Sequence, residues 1–455
     1  MKKTFLTLLI GMGLSTSVFA DDLYQVYQMA VEKDPTINRA KADRDAAFEG
    51  ISISRASLLP QISGAISYTE SSRESNQQIS APTEENPDAP EIFANFDQES
   101  DSLGMGVSLD LSIYDHRNWL ALDRAEKVAQ QSDTSYALAK QNLIVRTTDA
   151  YLAILRAKDS LAFVQAEKRA IERQLEQTKQ RFNVGLTAIT DVHEAQANFD
   201  NTVAQEIIAE NLLELRLEEM REITGKYLDN ISVLDTESFS ASRPVPEGVE
   251  NWLEIAEERN LNLMVSNLAK EIAKDDVSSA KAGHYPTLTL SADYSRSDTD
   301  TNNRNFPATD SSSIGVRLNV PIYQGGRVSA QSEQARYRFV AASEDLELAY
   351  RSTVRSVRSS YNDVIAANST IRALQQAVVS ADSALKATEA GFDVGTRTIV
   401  DVLNSTRNLF DARRNLASAR YDFIRAILAL KRASGNLTEQ DLVDINRGLM
   451  NPKVS

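Results

Sequence analysis

The polar residues with the most regular spacing in this sequence lie in a twelve-residue segment that occurs twice. The copies are Arg181–Val192 and Gly391–Val402, in which Phe, Val, Gly, Ile, Asp and Val recur in place. A carboxylate such as Asp191 or Asp401 near the start of a helix usually interacts favourably with the helix dipole. In a symmetric closed tube it would be copied into a ring that binds multivalent cations and has a raised proton affinity. Arg397 opposes the dipole and therefore indicates a specific partner.

Other residue types that commonly carry chemistry show no such arrangement. The three histidines, His116, His193 and His284, are scattered over different predicted elements, and the chain has no cysteine. A zinc site is therefore not expected, and each histidine is interpreted as a packing or surface residue. No nucleophile, phosphate-loop or zinc-protease motif occurs. The sequence predicts no catalytic site, no metal and no cofactor, and an enzyme is the weakest of the functions considered.

Composition and the amino terminus indicate an exported protein that does not bind nucleic acid. Residues 1–20 contain two lysines and an apolar run before an acidic pair, which is the pattern of a cleaved signal peptide. The formal net charge of −15 disfavours a nucleic-acid partner. Because there is no cysteine, packing alone must hold the exported chain together. Outside residues 1–20 no apolar run reaches the ~18 residues of a transmembrane helix, so a membrane span would have to be β.

Four segments alternate between apolar and polar residues, as strands do. In the clearest one, Leu103, Met105 and Val107 begin an apolar face, while glycines and small polar residues occupy the other. This pattern is typical of a strand that faces lipid, or of one side of a sandwich. The strands are predicted near residues 61–70, 103–114, 287–296 and 313–323, with polar loops over 73–100 and 298–312.

Very long segments without glycine or proline predict long helices. A helix over 118–184 would be roughly 100 Å long, so it cannot bury itself in a compact domain. Gly185 and Gly395 are each interpreted as a turn between two antiparallel helices. Helices are predicted over residues 22–59, 118–184, 186–224, 249–282 and 327–390, and a heptad-spaced helix follows the second turn.

The chain after residue 20 is predicted to be an internal duplication. Tyr151 and Gly185 recur 210 residues later as Tyr361 and Gly395. The two repeats span about 21–225 and 249–435 of a single protomer, 21–455. The segments 226–248 and 436–455 are expected to lie together in an equatorial region.

Four strands are too few to close a barrel. Transmembrane barrels begin at about eight strands, so the membrane interpretation requires an oligomer, and three chains would give twelve strands continued by helical rods. The alternative is a periplasmic or surface-attached coiled-coil scaffold without a pore. Such a scaffold would be soluble or peripheral and would not conduct ions.

With these features, the sequence resembles the TolC-type outer-membrane efflux proteins over essentially the whole mature chain. The resemblance is carried by Val394–Leu403, Pro321–Gly326, Arg181–Gly185 with Ala188–Asp191, and Asp43–Phe48. It implies a mainly α-helical homotrimer with one twelve-stranded outer-membrane β-barrel, a periplasmic α-helical barrel and an equatorial belt. It also implies a passive exit duct for drugs or polypeptides, gated at its periplasmic tip. An inner-membrane transporter drives export through a periplasmic adaptor protein.

The resemblance further implies roles for residues of the two repeated segments. The pore constriction is assigned to Asp401 and Asn404, with cation block expected at Asp401. The adaptor-docking tips are Val184, Gly185, Val394 and Gly395. The gate links are assigned to Arg397 with Thr190 and Asp191, to Gln174 with Glu389, and to Phe392. Phe392 stands where close relatives have a tyrosine and Asn404 where they have an aspartate, which puts one hydrogen bond and one carboxylate ring in question.

Overall fold

The computed structural model describes residues 21–80, 90–236, 239–302 and 304–450. The predicted signal peptide, residues 1–20, lies outside the described residues. The chain divides into two compact units. Unit 1 contains the described residues of Met1–Asp43, Thr134–Val265 and Glu347–Ser455, and unit 2 contains those of Arg44–Asp133 and Ser266–Leu346.

The described residues form long helices, one larger sheet and one two-stranded sheet. The helices are α1 (Leu23–Lys33), α2 (Pro35–Ala56), α3 (His116–Asn183), α4 (Ile189–Thr224), α5 (Val249–Arg259), α6 (Leu261–Lys281), α7 (Arg327–Asp393), α8 (Ile399–Ala433) and α9 (Glu439–Asn446). The strands are β1 (Gln61–Ser80), β2 (Ile92–Tyr114), β3 (Val233–Leu234), β4 (Thr287–Thr301), β5 (Arg304–Asn305), β6 (Thr309–Asn319) and β7 (Leu449–Met450). The predicted fold class, mainly helical with a β contribution and a repeated plan, is confirmed for the protomer.

The two longest helices, α3 and α7, contain 68 and 67 residues. Neither contains proline, so each backbone N–H in their interiors can donate to the preceding turn. Both begin and end within three residues of the predicted bounds. None of the described helices has an apolar stretch long enough to cross a membrane.

The predictions of single helices over 22–59 and 249–282 are wrong, because each segment forms two helices. The breaks lie at Asp34 and Asn260, where the backbone is extended. The Asp34 carboxylate accepts from the backbone N–H of Thr36 at 2.6 Å, and the Asn260 side chain accepts from Leu263 at 3.1 Å. Short polar side chains that cap the next helix offset the hydrogen bonds lost at the break. The two breaks occupy the same position in the two repeats, 226 residues apart.

Among the described residues the larger sheet has five strands, all in unit 2. Four of them pair antiparallel in the order β1–β2–β4–β6, and the two-residue β5 pairs with the end of β4. One row across it is apolar, because Ile62 lies opposite Leu109, Leu109 opposite Ala292, and Ala292 opposite Ile314. Ile62 and Ile314 at the two ends of this row are 71% and 78% exposed. The alternation predicted for lipid-facing strands is therefore present, and its apolar face is uncovered in the protomer.

The prediction of solvated loops over 73–100 and 298–312 is largely wrong. Strand β1 continues to Ser80 and β2 begins at Ile92, and the ladder pairs Arg73 with Gln98 and Gln77 with Ala94. Strand β4 continues to Thr301, and β6 begins at Thr309. The backbone groups are satisfied by the ladder, so polar side chains on both faces do not prevent strand formation. The polar composition of these segments indicates that they are exposed to solvent, but it does not determine their backbone conformation.

The core of unit 1 joins α1, α3, α4 and α8 to the linker that precedes α5 and to the segment that follows α8. Tyr151 of α3 is completely buried, and its hydroxyl donates to the carbonyl of Ser232 at 2.7 Å. Strand β3 pairs with β7, with Val233 opposite Met450. The prediction that the linker and the tail lie together is therefore confirmed for the described part of the tail.

Gly435 is the glycine with the least space for a side chain. Its φ is +73°, and an added Cβ would lie 2.2 Å from the carbonyl oxygen of Arg259. Gly225, at the same position of the first repeat, has a φ of +69°, but its Cβ would meet only Lys33 Cβ at 3.8 Å. The two glycines therefore share one backbone conformation and differ in crowding.

We expect Gly435→Ala to destabilise the protein much more than Gly225→Ala. Both substitutions introduce left-handed strain of about 1 to 2 kcal/mol, but only Gly435→Ala adds a collision with backbone. Chemical unfolding followed by tryptophan fluorescence is a suitable measurement, because Trp252 is buried in unit 1. Equal losses of stability in the two variants would contradict the assigned packing of Gly435 against Arg259.

Candidate functional site at the interhelical turns

The two repeated segments form the α3–α4 and α7–α8 turns with the same backbone hydrogen bonds. Gly185 and Gly395 have φ values of +78° and +79°. Leu186 N–H donates to the carbonyl of Arg181 at 2.8 Å, and Thr396 N–H donates to that of Gly391 at 2.8 Å. This is the Schellman arrangement, in which a left-handed residue ends a helix. The sequence-based interpretation of the two glycines as turns is confirmed.

The predicted adaptor-docking residues lie at the outside of these turns. Val184 is 70% exposed and Val394 is 75% exposed, and each precedes its turn glycine. Two exposed valines next to tight turns form a small apolar contact surface on each hairpin. Their role in docking remains a prediction.

Asp401 forms a capping box with Thr398 at the start of α8. The Thr398 N–H donates to Asp401 Oδ2 at 2.9 Å, and the Asp401 N–H donates to Thr398 Oγ1 at 3.3 Å. Hydrogen bonds from the Thr398 backbone and hydroxyl, with the nearby charge of Arg397, hold the pKa of Asp401 below its ordinary value. The carboxylate therefore stabilises α8 above its unfolded-state pKa, and this contribution is lost as the pH falls through the lowered folded-state pKa. In one protomer Asp401 is thus a stable anion with a structural role.

Asn404 lies one helical turn after Asp401 and is exposed. Residues three apart are neighbours on a helix surface, so Asp401 and Asn404 lie on the same side of α8. Because Asn404 carries no charge, only Asp401 supplies a carboxylate there. The assignment of both residues to a pore constriction remains a prediction.

The first turn replaces the capping box by a different hydrogen bond. Ala188 stands where the second turn has Thr398, and α4 has no side-chain cap. Instead the Thr187 hydroxyl donates to Asp191. The predicted link residue Thr190 is exposed next to it. Within the protomer, Asp191 therefore accepts a hydrogen bond from Thr187, and Asp401 accepts hydrogen bonds from Thr398.

The predicted gate links are not formed within a single protomer. Over the part of the chain that the structure describes, the Arg397 side chain makes no hydrogen bond or ion pair with Asp191 or Thr190. Instead it packs on Gly391, where an added Cβ would lie 2.7 Å from Arg397 Cγ. These links remain predictions.

The predicted pair of Gln174 and Glu389 is also not formed within the protomer. The Gln174 side-chain nitrogen is buried without an acceptor among the described residues. Glu389 is exposed on α7. Because a buried donor without a partner is costly, Gln174 is the one link residue whose protomer contacts are incomplete.

Phe392 belongs to an apolar cluster beneath the turns. It is 9% exposed and packs with residues of α3, α4 and α8, namely Ile171, Leu175, Ala195, Ile399, Val402 and Leu403. Its counterpart Phe182 is 39% exposed. Phe392 is therefore a packing residue of this cluster, whereas Phe182 is exposed to solvent.

Sequence reasoning missed the contact that joins the two turns. The Arg181 guanidinium lies over the Phe392 ring at 4.5 Å from its centroid, and Arg181 Nη1 lies 3.6 Å from Asp393 Oδ1. A difference between the repeats could have pointed to it. Arg181 aligns with Gly391, and Asp393 aligns with Asn183, so the two segments carry opposite extra charges.

Further from the turns, ion pairs join α3 to α8. Arg425 Nε lies 2.7 Å from Asp149 Oδ1, and Arg414 Nη1 lies 3.0 Å from Glu167 Oε2. Burial raises the pKa of the Glu167 carboxyl, and the hydrogen bond from Arg414 partly offsets this effect. The first and second hairpins of unit 1 are therefore held together by charged contacts as well as by their apolar residues.

Comparison with known proteins agrees with this arrangement. Residues 26–226 and 252–436 match the family described as "Outer membrane efflux protein". The chain is 47% identical over 443 residues to outer membrane protein TolC of Vibrio cholerae, covering 96% of this chain and 95% of that protein. It is 28% identical over 430 residues to the alkaline protease secretion protein AprF of Pseudomonas aeruginosa, covering 94% and 87%.

A solved structure shows the same fold at much lower identity. The Campylobacter jejuni CmeC outer membrane channel superposes with a TM-score of 0.75 at 15% identity, over 93% of this chain and 89% of that chain. The two matched segments of the family model include both hairpins and both turns of this chain. The chain therefore belongs to the family of outer membrane efflux proteins.

Proposed function

We propose that three copies of this chain assemble into an outer-membrane channel whose periplasmic end is closed at the α3–α4 and α7–α8 turns. One observation carries the proposal: the larger sheet presents an uncovered apolar row and ends at two edge strands, β1 and β6. Strands β1 and β6 each pair with one neighbour among the described strands of the larger sheet. Lipid would cover the apolar row, and strands of neighbouring copies would pair with the two edges.

The number of strands requires more than one copy, and the resemblance to TolC-type proteins favours three. Each chain contributes β1, β2, β4 and β6 to the sheet, and closed membrane barrels need about eight strands or more. Three chains supply twelve strands, with β1 of one copy next to β6 of the next. The four long helices of each copy would then continue the wall of the duct.

The channel is proposed to be passive and to receive its energy from partners. We propose a periplasmic adaptor that contacts the exposed valines of the turns, and an inner-membrane transporter that drives export. The relative named for alkaline protease secretion supports polypeptides as one class of cargo, and the family description supports a role in efflux. An open duct can serve both, because it does not need to bind its cargo tightly.

The assembly itself is the first test. Detergent extracts of outer membranes are expected to contain a stable species of three chains that gives discrete conductance steps in planar bilayers. A soluble or peripheral protein without conductance would instead support the coiled-coil scaffold. A folded monomer inserted in the membrane would contradict the closure argument.

Substitution of Asp401 tests the constriction. Three carboxylates brought together repel one another, and a trivalent cation relieves that repulsion, so added trivalent cation is expected to block the wild-type channel. Asp401→Ala should abolish the block. The block of the wild type should also weaken as the pH falls, because protonation removes the charge.

A matched control removes one carboxylate from the exposed surface of α3. Glu172 is exposed and lies outside the repeated segments, so Glu172→Ala should leave the block unchanged. Undiminished block in Asp401→Ala would place the constriction elsewhere. Asn404 could not replace it, since it carries no charge.

Substitution of Arg397 tests the predicted link to Asp191 and Thr190 of the other turn. Arg397→Ser is expected to raise the conductance of the resting channel about fivefold, the effect of roughly 1 kcal/mol on an opening equilibrium. Phe392→Tyr restores a hydroxyl and should partly offset the change. Bilayer recordings of both single variants and the double variant provide the comparison. Unchanged conductance in Arg397→Ser would mean that packing alone keeps the turns closed.

A further inference from the structure

Arg181 makes two contacts that cross from the first repeat to the second. Its guanidinium lies over the Phe392 ring at 4.5 Å, and one nitrogen lies 3.6 Å from a carboxylate oxygen of Asp393. The Arg181 side chain is 25% exposed, and Phe392 is 9% exposed. A cation on an aromatic face is attracted more strongly when both are partly removed from water. The contact therefore combines a shielded cation–π interaction with a partly exposed ion pair.

The electrostatics of the helix ends favour this position for Arg181. It lies in the last turn of α3, where a cation interacts favourably with the helix dipole. Helix α7 ends at Asp393 and has no basic residue in its last turn. An anion at a helix C-terminus is unfavourable, so α7 lacks a compensating charge of its own. Arg181 of the first repeat supplies that charge to the second.

The Phe392 ring takes part in two kinds of contact. It belongs to the apolar cluster with Ile399, Val402 and Leu403, and the Arg181 guanidinium lies over its face. A guanidinium stacks on an aromatic face through its planar, delocalised charge, which a lysine ammonium does not reproduce. The ring therefore connects the buried cluster to the charged surface of the turn.

We propose that Arg181 is a positioning residue that fastens the α7–α8 turn to the end of α3 when the channel is closed. This inference rests on the proposed function. Asp401 lies in the first turn of α8, eight residues after Asp393. A movement that carries the α7–α8 turn and Asp401 away from the end of α3 would separate Arg181 from Phe392 and Asp393. Arg181 acts within one copy of the chain.

Planar-bilayer recording of the assembled channel tests the proposal. Arg181→Gln removes the charge but keeps a polar side chain, and it should raise the resting open probability about fivefold. Arg181→Lys should restore closure only in part. Arg173→Gln is the matched control, because Arg173 is exposed on the same helix eight residues earlier, and it should behave as the wild type.

A double-mutant cycle separates the two contacts. Phe392→Leu keeps an apolar side chain without a ring, and Asp393→Asn keeps the shape without the charge. If Arg181 acts through these residues, each variant should have a smaller effect in the Arg181→Gln background than in the wild type. Fully additive effects would overturn the proposed contacts.

The distance between the two turns provides a second measurement, which is needed if a variant assembles too poorly for bilayer recording. The chain has no cysteine, so spin labels at Val184→Cys and Val394→Cys report on the two turns alone. With labelled protomers diluted among unlabelled ones, the distance distribution should be narrow in the wild type and in Arg173→Gln. It should broaden in Arg181→Gln, or in Arg181→Lys if the first variant does not assemble.

The outcomes distinguish this inference from the proposed function. If the wild type conducts but Arg181→Gln changes neither the open probability nor the distance distribution, the inference is wrong and the channel remains. If the wild type forms no pore, both the channel and the role of Arg181 are contradicted.

Discussion

The sheet of one protomer exposes an apolar face and two edges that the protomer cannot cover. Unpaired backbone groups in a membrane cost several kcal/mol each, so a sheet with free edges is not stable there. In the proposed assembly, β1, β2, β4 and β6 form one part of a larger closed sheet. Some apolar side chains on the helices of unit 1 are also uncovered in one protomer. Ile207 and Ile208 of α4 are 61% and 67% exposed. An assembly of several chains would cover these exposed apolar side chains and pair the edges of the sheet.

Internal duplication gives each chain two similar helical hairpins. Small sequence differences between the repeats make the two turns chemically different. Both turns end their helices with the same backbone hydrogen bonds around a left-handed glycine. Only the second turn has a capping box, because Thr398 aligns with Ala188. Only the first turn has a cation at its beginning, because Arg181 aligns with Gly391. Two hairpins with the same backbone can therefore hold each other through unlike side chains.

Much of the fold follows from periodicity, since the long helices, the turns and the apolar alternation were all predicted within a few residues. The polar outer parts of β1 and β2 were missed because strands exposed on both faces have the composition of loops. The breaks at Asp34 and Asn260 were missed because a capping side chain, and not a glycine, produces them. The Arg181 contact could not be derived from spacing, because it joins residues more than 200 positions apart.

The central claim is that the open edges of the sheet are closed by identical chains, and a structure of the assembly in a lipid nanodisc tests it most directly. The account predicts three chains in one closed sheet, with β1 of each chain hydrogen-bonded to β6 of the next. A membrane-inserted particle with a different number of chains, or with β1 and β6 left unpaired, would contradict it.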